Sequence, residues 1–326
     1  MQNHDTRVVV LGTGGTIAGA STDPSDNIGY RAAQHGVAEL VRGVPAPGGV
    51  ALELEQVAQL DSKDMDHAVW RALALRCAFH LARPEVAGLV VTHGTDTLEE
   101  TAWFLQRVLA PVRPVVLTAA MRPATALLSD GPQNLRDALV VARTPGASGV
   151  VAVLGGQVFG ARDVRKIHPY RIDAFGAGDA GPLGVIEEGR LRLFRAWPHG
   201  GDALGVAALP GDVAAWPFVA IVTSHAGADA AVVQALRAAG VRGLAVAATG
   251  NGSVHRELEH ALLEAQRAGV QVLRSTRCGN GRVLDAGAAA LPSADDLTPA
   301  KARVELMLRL MKQPGQGPSS SASSER

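Results

Sequence analysis

The stretch Val8-Val-Val-Leu-Gly-Thr-Gly-Gly-Thr-Ile-Ala-Gly19 decides the fold. Four apolar residues, three of them β-branched, stop at a turn of glycines and threonines, which is typical of a buried strand that ends in a tight turn. A second stretch, Val90-Val-Thr-His-Gly-Thr-Asp-Thr-Leu-Glu-Glu100, repeats this pattern. Open α/β sheets bind ligands at the carboxyl ends of their strands, so both turns are expected to face one crevice. Together they supply two hydroxyls and one carboxylate, and we interpret them as an active site.

The second stretch continues into a helix. Thr97 and Glu100 have the spacing of a capping box, which predicts an amphipathic helix over 97–110. Threonine and aspartate often occupy turns for local reasons, so Thr95 and Asp96 have an ordinary structural explanation as well. If Thr97 already caps the helix, however, the cap leaves these two residues free for another role.

Composition restricts the class of protein. The chain has 326 residues, of which 47% are hydrophobic and 19% charged, as expected of a globular protein with two domains. Lys+Arg and Asp+Glu both number 31, so no net charge favours nucleic acid or an anionic membrane. No apolar run approaches the ~20 residues of a membrane span. The polar start does not have the pattern of an export signal, so a cytoplasmic location is expected. Cys77 and Cys278 lie far apart in the sequence, so two free thiols are expected.

Alternating strand and helix patterns in both halves predict an α/β fold with two largely parallel sheets. We place the larger N-terminal domain at 1–192, a linker at 193–215, the C-terminal domain at 216–312 and a disordered tail at 313–326. The predicted strands are 7–12, 50–60, 87–93, 114–118, 150–154, 218–223, 242–248 and 270–274. The predicted helices are 37–41, 66–82, 97–110, 134–143, 228–239, 254–268 and 297–311.

Two segments are predicted to lack regular structure. Residues 155–163 are rich in turn formers. Residues 13–36 form a long Gly/Ser/Asp-rich segment that contains Tyr30, one of two tyrosines. A loop this long in a compact domain is usually a lid or binding loop, or is disordered.

The glycines after the first strand do not match a nucleotide-binding motif. G-x-G-x-x-G would require glycine at position 17, which is isoleucine, and the Gly-Lys-Ser/Thr of a P-loop is absent. A strained turn at the end of the strand explains the glycines but not the threonines.

A hydroxyl nucleophile needs a base, and Lys166 is a candidate, although a solvated surface lysine is the simpler interpretation. The histidines lack zinc-site spacing and no G-x-S-x-G elbow occurs, so no metal or cofactor is expected.

The chain resembles the bacterial asparaginase/glutaminase family, whose nucleophile is threonine. Thr13-Gly-Gly-Thr-Ile-Ala-Gly19 is similar to the first family signature, and His93-Gly-Thr-Asp-Thr-Leu-Glu-Glu-Thr-Ala102 to the second. The further matches are Asp61-Ser62-x-Asp-Met65, Ala120-Met-Arg-Pro123, Ser129-Asp-Gly-Pro132 with Asn134-Leu135, Arg162-Asp-Val-x-Lys166, Gly181-Pro-Leu-Gly184, Gly250-Asn-Gly252 and Pro299-x-Lys-Ala-Arg303. The resemblance therefore covers nearly all of 7–312.

This resemblance implies a larger N-terminal α/β domain and a smaller flavodoxin-like C-terminal one. It also implies a homotetramer, a dimer of intimate dimers, in which each active site lies between one subunit's N-terminal domain and its neighbour's C-terminal domain. Thr16 matches the nucleophile and Tyr30 its activating partner on a flexible loop. Thr95, Asp96 and Lys166 match the second catalytic triad.

The resemblance also implies substrate contacts. Ser62 matches the group that holds the substrate α-carboxylate, Asp96 the partner of the α-ammonium, and Ala120 a backbone contact to the amide. Backbone N–H groups at 14–16, Gly15 among them, and that of Thr95 are the expected oxyanion donors.

The sequence departs from the family pattern at three places. Lys63 stands where many secreted members have glutamine beside the substrate carboxylate. In the segment with Asn251, Ser253 stands where some members have an asparagine that reaches a neighbour's site. The loop 278–282 is shorter than in members whose neighbour contributes a glutamate.

The expected function is hydrolysis of L-asparagine to L-aspartate and ammonia through an acyl-threonine intermediate. Three alternatives stay open at this point. The first is a dual glutaminase-asparaginase, because one methylene changes discrimination by only ~1–3 kcal/mol. The second is a regulatory protein that binds asparagine without turnover. The third, a nucleotide-binding oxidoreductase, is disfavoured by the glycine spacing.

Overall fold

The computed structural model describes residues 6–198, 201–284 and 291–312. The predicted tail at 313–326 lies outside these residues. The strands are β1 (Arg7–Gly14), β2 (Ala51–Leu60), β3 (Val86–Thr92), β4 (Val115–Thr118), β5 (Val150–Leu154), β6 (Gln157–Gly160), β7 (Arg165–Lys166), β8 (Phe175–Gly176), β9 (Gly184–Glu187), β10 (Arg190–Leu193), β11 (Val219–Thr223), β12 (Gly243–Ala248) and β13 (Gln271–Thr276). The helices are α1 (Val37–Val41), α2 (His67–Leu81), α3 (Leu98–Leu109), α4 (Gly131–Ala142), α5 (Ala231–Ala238), α6 (Arg256–Arg267) and α7 (Pro299–Lys312). Every strand and helix predicted above is confirmed, with ends that agree or shift by at most three residues.

The first strand lies inside the larger sheet. In the described residues this sheet has the order β10-β9-β6-β5-β4-β3-β1-β2, and β1 pairs in parallel with both β2 and β3. Val9 and Leu11 pack towards α2 and α3, whereas Val8 and Val10 pack towards α1 and α4. Because helices cover both faces, the strand is an uninterrupted apolar run and does not alternate with polar residues.

The larger sheet is mixed because of three strands that the sequence analysis missed. β6, β9 and β10 pair antiparallel at one side of the sheet. β5 and β6 are joined by Gly155 and Gly156, both with positive φ (56° and 72°), as a two-residue hairpin turn requires. The turns predicted in 155–163 are present at 155–156 and 161–163, but the strand between them was missed.

The smaller sheet, β11-β12-β13, is parallel. Helices α5 and α6 share one core with it, and α7 packs between this sheet and α3 of the larger domain. The fold is thus α/β, with a large mixed N-terminal sheet and a small parallel C-terminal one. The exact domain boundaries at 192 and 216 stay a prediction.

Within the described part of the chain, no helix is both long enough and apolar enough to cross a membrane. Both cysteines are free thiols, as expected, with Cys77 buried and Cys278 exposed.

Candidate active site

The turns that follow β1 and β3 are in backbone contact. Gly14 and Gly15 have φ of 99° and 81°, which L side chains rarely adopt, and a Cβ atom placed on Gly15 would overlap the Gly94 backbone. Thr13 Oγ1 also donates a hydrogen bond of 2.9 Å to the Thr92 carbonyl, which ties the two strand ends together. The two glycine-rich turns therefore meet at one edge of the sheet, as the sequence analysis expected.

Thr16 follows the first turn and is 8% exposed. Its Oγ1 lies 2.6 Å from the hydroxyl oxygen of Tyr30, and either atom can be the donor. The loop that carries Tyr30 folds back on itself, because Ala20 and Arg31 exchange two backbone hydrogen bonds of 2.9 Å. The structure thus places the loop hydroxyl against the threonine, in a closed geometry.

Thr95 and Asp96 follow the second turn, and both contact Lys166. The Lys166 Nζ donates to Thr95 Oγ1 at 2.8 Å and to Asp96 Oδ1 at 2.6 Å. The side chain of Lys166 is 19% exposed and that of Asp96 is 52% exposed. Lys166 is therefore not a solvated surface lysine. A strand of two residues, β7, brings it to the turn from 70 residues further along the chain.

Ser62 is buried beside Asp96 and Thr97. The Asp96 N–H donates to Ser62 Oγ at 3.1 Å, and Thr97 Oγ1 donates to the Ser62 carbonyl at 2.8 Å. Thr97 occupies the N-cap position of α3, but its side chain makes no cap hydrogen bond. The capping-box prediction was therefore wrong, because the Ser62 carbonyl takes the hydroxyl instead.

Lys63 is mostly exposed and pairs with neighbouring carboxylates. Its Nζ pairs with Asp61 at 2.8 Å and lies 3.9 Å from Asp64, and its side chain is 64% exposed. The hydrogen bond to Asp61 is the main cause that raises the pKa of Lys63, and the Asp61, Asp64 and Asp96 carboxylates raise it further. The ammonium is therefore within electrostatic reach of Asp96.

A buried histidine supports the second turn. His93 Nδ1 lies 2.7 Å from the Gly94 carbonyl, which only accepts, so this nitrogen carries the proton. Its Nε2 then accepts from Thr101 Oγ1 at 3.0 Å, and that oxygen accepts from Trp70 Nε1 at 2.8 Å. Burial lowers the pKa of His93 to about 4, so the ring is neutral near pH 7. His93 is thus more than the ordinary polar end of a strand.

The loop with Ala120 is held by two side chains that the sequence analysis did not select. The Asp130 carboxylate accepts hydrogen bonds of 3.0 and 2.9 Å from the N–H groups of Met121 and Arg122. Asn134 Nδ2 donates to the Ala119 carbonyl at 2.9 Å. Their presence in the quoted family motif was the available signal, but their role depends on contacts across the loop.

One of the expected oxyanion donors, the Gly15 N–H, makes a hydrogen bond within the protein. The Gly15 N–H donates to the Leu60 carbonyl at 2.8 Å, so it cannot also bind an oxyanion. Of the turn groups considered above, Thr16 N–H and Thr95 N–H are the better candidates.

Asn251 and Ser253 lie in the turn after β12, in the smaller domain. Thr249 and Ser253 exchange backbone hydrogen bonds of 2.9 and 2.8 Å, and Asn251 bonds to the backbone of Leu284. In the described residues, no hydrogen bond links this turn to Thr16 or Thr95 of the same chain. In the described part of the chain, these two predicted residues are therefore not hydrogen-bonded to the two threonines of the candidate site.

Both domains of the chain match models of known protein families. The family model for the N-terminal domain of asparaginases matches residues 7–199, and that for the glutaminase/asparaginase C-terminal domain matches 218–317. The chain is thus a two-domain α/β protein of the asparaginase type. It belongs to the L-asparaginase/glutaminase-asparaginase family, as the sequence analysis predicted, and is an amidohydrolase of that family.

Individual relatives match over nearly the whole chain. L-asparaginase 2 of Escherichia coli is 36% identical and the glutaminase-asparaginase of Pseudomonas fluorescens biotype A is 35% identical, over 93% and 94% of this chain and 88% and 86% of theirs. A crystal structure described as a probable cytoplasmic L-asparaginase from Campylobacter jejuni superposes with a TM-score of 0.88 at 36% identity. It covers 94% of this chain and 96% of that one.

Proposed function

We propose that this protein hydrolyses L-asparagine to L-aspartate and ammonia through an acyl ester on Thr16. The observation that carries the proposal is the pair of hydroxyls on adjoining turns, one paired with Tyr30 at 2.6 Å and the other with Lys166 at 2.8 Å. A hydroxyl is a weak nucleophile until its proton is removed, and Tyr30 lies at hydrogen-bond distance from Thr16 to take that proton. The Lys166 ammonium orients the Thr95 hydroxyl by donating a hydrogen bond to it.

In the first half-reaction, Thr16 Oγ1 forms a bond to the amide carbon. Tyr30 accepts the threonine proton and passes its own proton to the amide nitrogen, so that ammonia leaves as the C–N bond breaks. The Thr16 and Thr95 N–H groups stabilise the oxyanion of the tetrahedral intermediate. The closed loop excludes bulk water while the ester forms.

In the second half-reaction, water attacks the ester carbon, and its proton returns to Thr16 Oγ1 as the ester C–O bond breaks. We assign Thr95 and Lys166 to this step. Thr95 Oγ1 accepts a hydrogen bond from Lys166, so its own proton can point towards the water or the carbonyl. Asp96 holds Lys166 in place through the 2.6 Å ion pair.

The substrate is a zwitterion, so its ammonium needs a negatively charged partner and its carboxylate needs hydrogen-bond donors or a positive charge. We assign the α-ammonium to the half-exposed Asp96 carboxylate, and the α-carboxylate to Ser62 Oγ with support from Lys63. Ala120, in the loop fixed by Asp130, is assigned to the side-chain amide.

A dual glutaminase-asparaginase is the second candidate. Relatives of that name from Pseudomonas fluorescens and Acinetobacter glutaminasificans are 35% and 36% identical, and the L-asparaginase 2 relatives are 36% identical, so identity does not favour either activity. One methylene distinguishes the two substrates, so few pocket contacts decide the preference.

We further propose a homotetramer built from intimate dimers, in which the turn with Asn251 and Ser253 completes the neighbour's site. The support is that, in the described residues, this turn has no hydrogen bond to Thr16 or Thr95 of its own chain, and that Ile28, Leu127 and Leu128 expose large apolar side chains around the loop that bears Tyr30. Cytoplasmic action is also proposed, supported by the likeness to the Campylobacter jejuni protein.

The test is ammonia release from L-asparagine and L-glutamine by the purified protein and by Thr16→Ala. Turnover of asparagine that disappears in a folded Thr16→Ala supports the proposal, and the glutamine measurement decides between the two candidate activities. Binding of asparagine by calorimetry without turnover of either amide would overturn it in favour of the regulatory protein.

A further inference from the structure

Lys301 on α7 is a fully buried lysine outside the candidate active site. Its Nζ donates to the carbonyl of Arg162 at 2.7 Å and makes a second hydrogen bond to the carbonyl of Val164. Removing an ammonium from water is costly, and here backbone carbonyls replace the water. An apolar side chain at this position would avoid that cost, so the lysine calls for an explanation beyond packing.

The two accepting carbonyls belong to the segment that carries Lys166. Val164 directly precedes β7, which among the described strands pairs only with β8, and whose Arg165 side chain also donates to the Gly279 carbonyl. Two hydrogen bonds from a rigid helix fix the path of this segment two residues before Lys166. The reach of Lys166 to Thr95 and Asp96 depends on that path.

Helix α7 also contacts the other half of the site. Thr298, directly before α7, donates from its Oγ1 to Glu99 at 3.2 Å, and Arg303 on α7 pairs with Glu100 at 3.4 Å. Both glutamates lie in the first turn of α3, which begins two residues after Asp96. The same helix thus holds the segment that bears Asp96 and the segment that bears Lys166.

We propose that Lys301 is a positioning residue, which fixes the 162–165 segment so that the Lys166 ammonium stays within hydrogen-bond distance of Thr95 and Asp96. This rests on the proposed function, in which Lys166 takes part in the reaction. Lys301 itself touches neither substrate nor reacting atoms.

The charge of Lys301 can be varied by pH. Burial lowers its pKa to about 8, and nearby Arg165 lowers it further, whereas Glu99, Asp163 and Asp296 oppose the shift. Raising the pH from 7 to 9 therefore removes much of the charge that strengthens the two hydrogen bonds, and the 162–165 segment is expected to loosen.

Glu305 offers a matched control on the same helix. It is 5% exposed and pairs with Arg107 at 2.9 Å, near the far end of α3. Loss of this contact weakens the packing of α7 without affecting the Lys166 segment. A purely structural role for Lys301 predicts the same consequences for both residues.

The experiment measures kcat and KM for L-asparagine, together with thermal stability, for Lys301→Met and Glu305→Gln. We expect Lys301→Met to lower kcat about 10- to 100-fold, because small displacements of catalytic groups have effects of this size, with KM changed less than about threefold. Glu305→Gln should lose stability but keep kcat within about twofold. Equal kcat for Lys301→Met and wild type, or an equal loss in both variants, overturns the proposal.

A second measurement needs neither the variants nor activity. Hydrogen exchange of the wild-type protein, corrected for the intrinsic pH effect, is followed at pH 7 and 9 for segments 162–167 and 305–312. Protection should fall in the first segment and persist in the second. Unchanged protection in 162–167 overturns the proposal even if Lys301→Met does not fold. If the wild type releases no ammonia, the proposed function fails, and this measurement alone decides the role of Lys301.

Discussion

The backbones of Gly15 and Gly94 are in contact where the parallel strands β1 and β3 end, and no side chain fits between them. Each glycine directly precedes one of the two threonines of the candidate site. The distance between the two threonine-bearing turns is therefore set by main-chain packing at the edge of a buried sheet. Such packing leaves few alternative arrangements, which favours a preorganised site.

This contact can be tested with Gly15→Ala. A Cβ atom there meets the Gly94 backbone and also imposes an unfavourable φ, so the two turns must move apart. We expect activity towards asparagine to fall at least about 100-fold. The measurement is ammonia release together with thermal unfolding.

Gly43→Ala is the control for this prediction. Gly43 has a similar φ of 86° but no heavy atom within 4 Å of an added Cβ. The substitution should cost about 1–2 kcal/mol of stability through backbone strain and leave kcat near the wild-type value. A similar kcat for Gly15→Ala and Gly43→Ala would show that the contact does not control the site.

The sequence was sufficient for the longer elements and for the turns of the site. Runs such as Val8–Leu11 are long and buried on both faces, so their pattern is strong, and glycine marks their ends clearly. The four-residue strands β9 and β10 were missed because segments this short carry little pattern. Their turn, Glu188-Gly189, has two positive φ values, but glutamate is not a usual signal for such a turn.

Contacts between distant segments were not predictable from the residues alone. The Thr97 hydroxyl donates to the carbonyl of Ser62, which lies 35 residues earlier in the chain. The local sequence therefore indicated the start of the helix correctly but not the hydrogen-bond partner of Thr97. Local sequence likewise did not indicate whether Lys166 is solvated or reaches Thr95, because only the tertiary fold brings the two together. The resemblance to a known family supplied that pairing before the structure did.

Tyr30→Phe tests the proton transfer assigned to the loop. The substitution removes the hydroxyl that lies 2.6 Å from Thr16 but keeps the ring. We expect kcat to fall by about 10²–10⁴, the usual contribution of one positioned acid–base group, with little change in KM and normal folding. The other tyrosine gives the control, since Tyr170→Phe should keep kcat. Full activity of Tyr30→Phe would exclude this role for Tyr30.

His93 makes stability depend on pH. Its folded pKa of about 4 lies below the unfolded value near 6.5, so between these values the unfolded chain binds a proton that the native protein does not. The stabilisation is complete above pH 6.5 and is lost as the pH falls to 4. We expect the midpoint of chemical denaturation to decrease over this window.

His93→Asn is the variant that isolates this effect. Asparagine places a donor near the position of Nδ1 but does not titrate, so the part of the pH dependence due to His93 should disappear. The midpoint at pH 7 is expected to fall because Thr101 loses its acceptor in a buried position. An unchanged slope between pH 4 and 6.5 would mean that His93 is not the group responsible.

Lys63 provides a test of substrate recognition. The ammonium is mostly exposed and pairs with Asp61, yet it lies within electrostatic reach of Asp96 and next to Ser62, to which the α-carboxylate is assigned. An exposed ionic contact contributes little because solvent screens it, so Lys63→Gln should raise KM for asparagine only about two- to fivefold at unchanged kcat. Because salt screens such contacts, the difference in KM between Lys63→Gln and the wild type should shrink in about 0.5 M NaCl.

Asp61→Asn is the complementary variant. It releases the lysine from its partner and should lower KM instead. If both substitutions leave KM unchanged, the lysine does not contact the substrate, and Ser62 with backbone donors accounts for carboxylate binding.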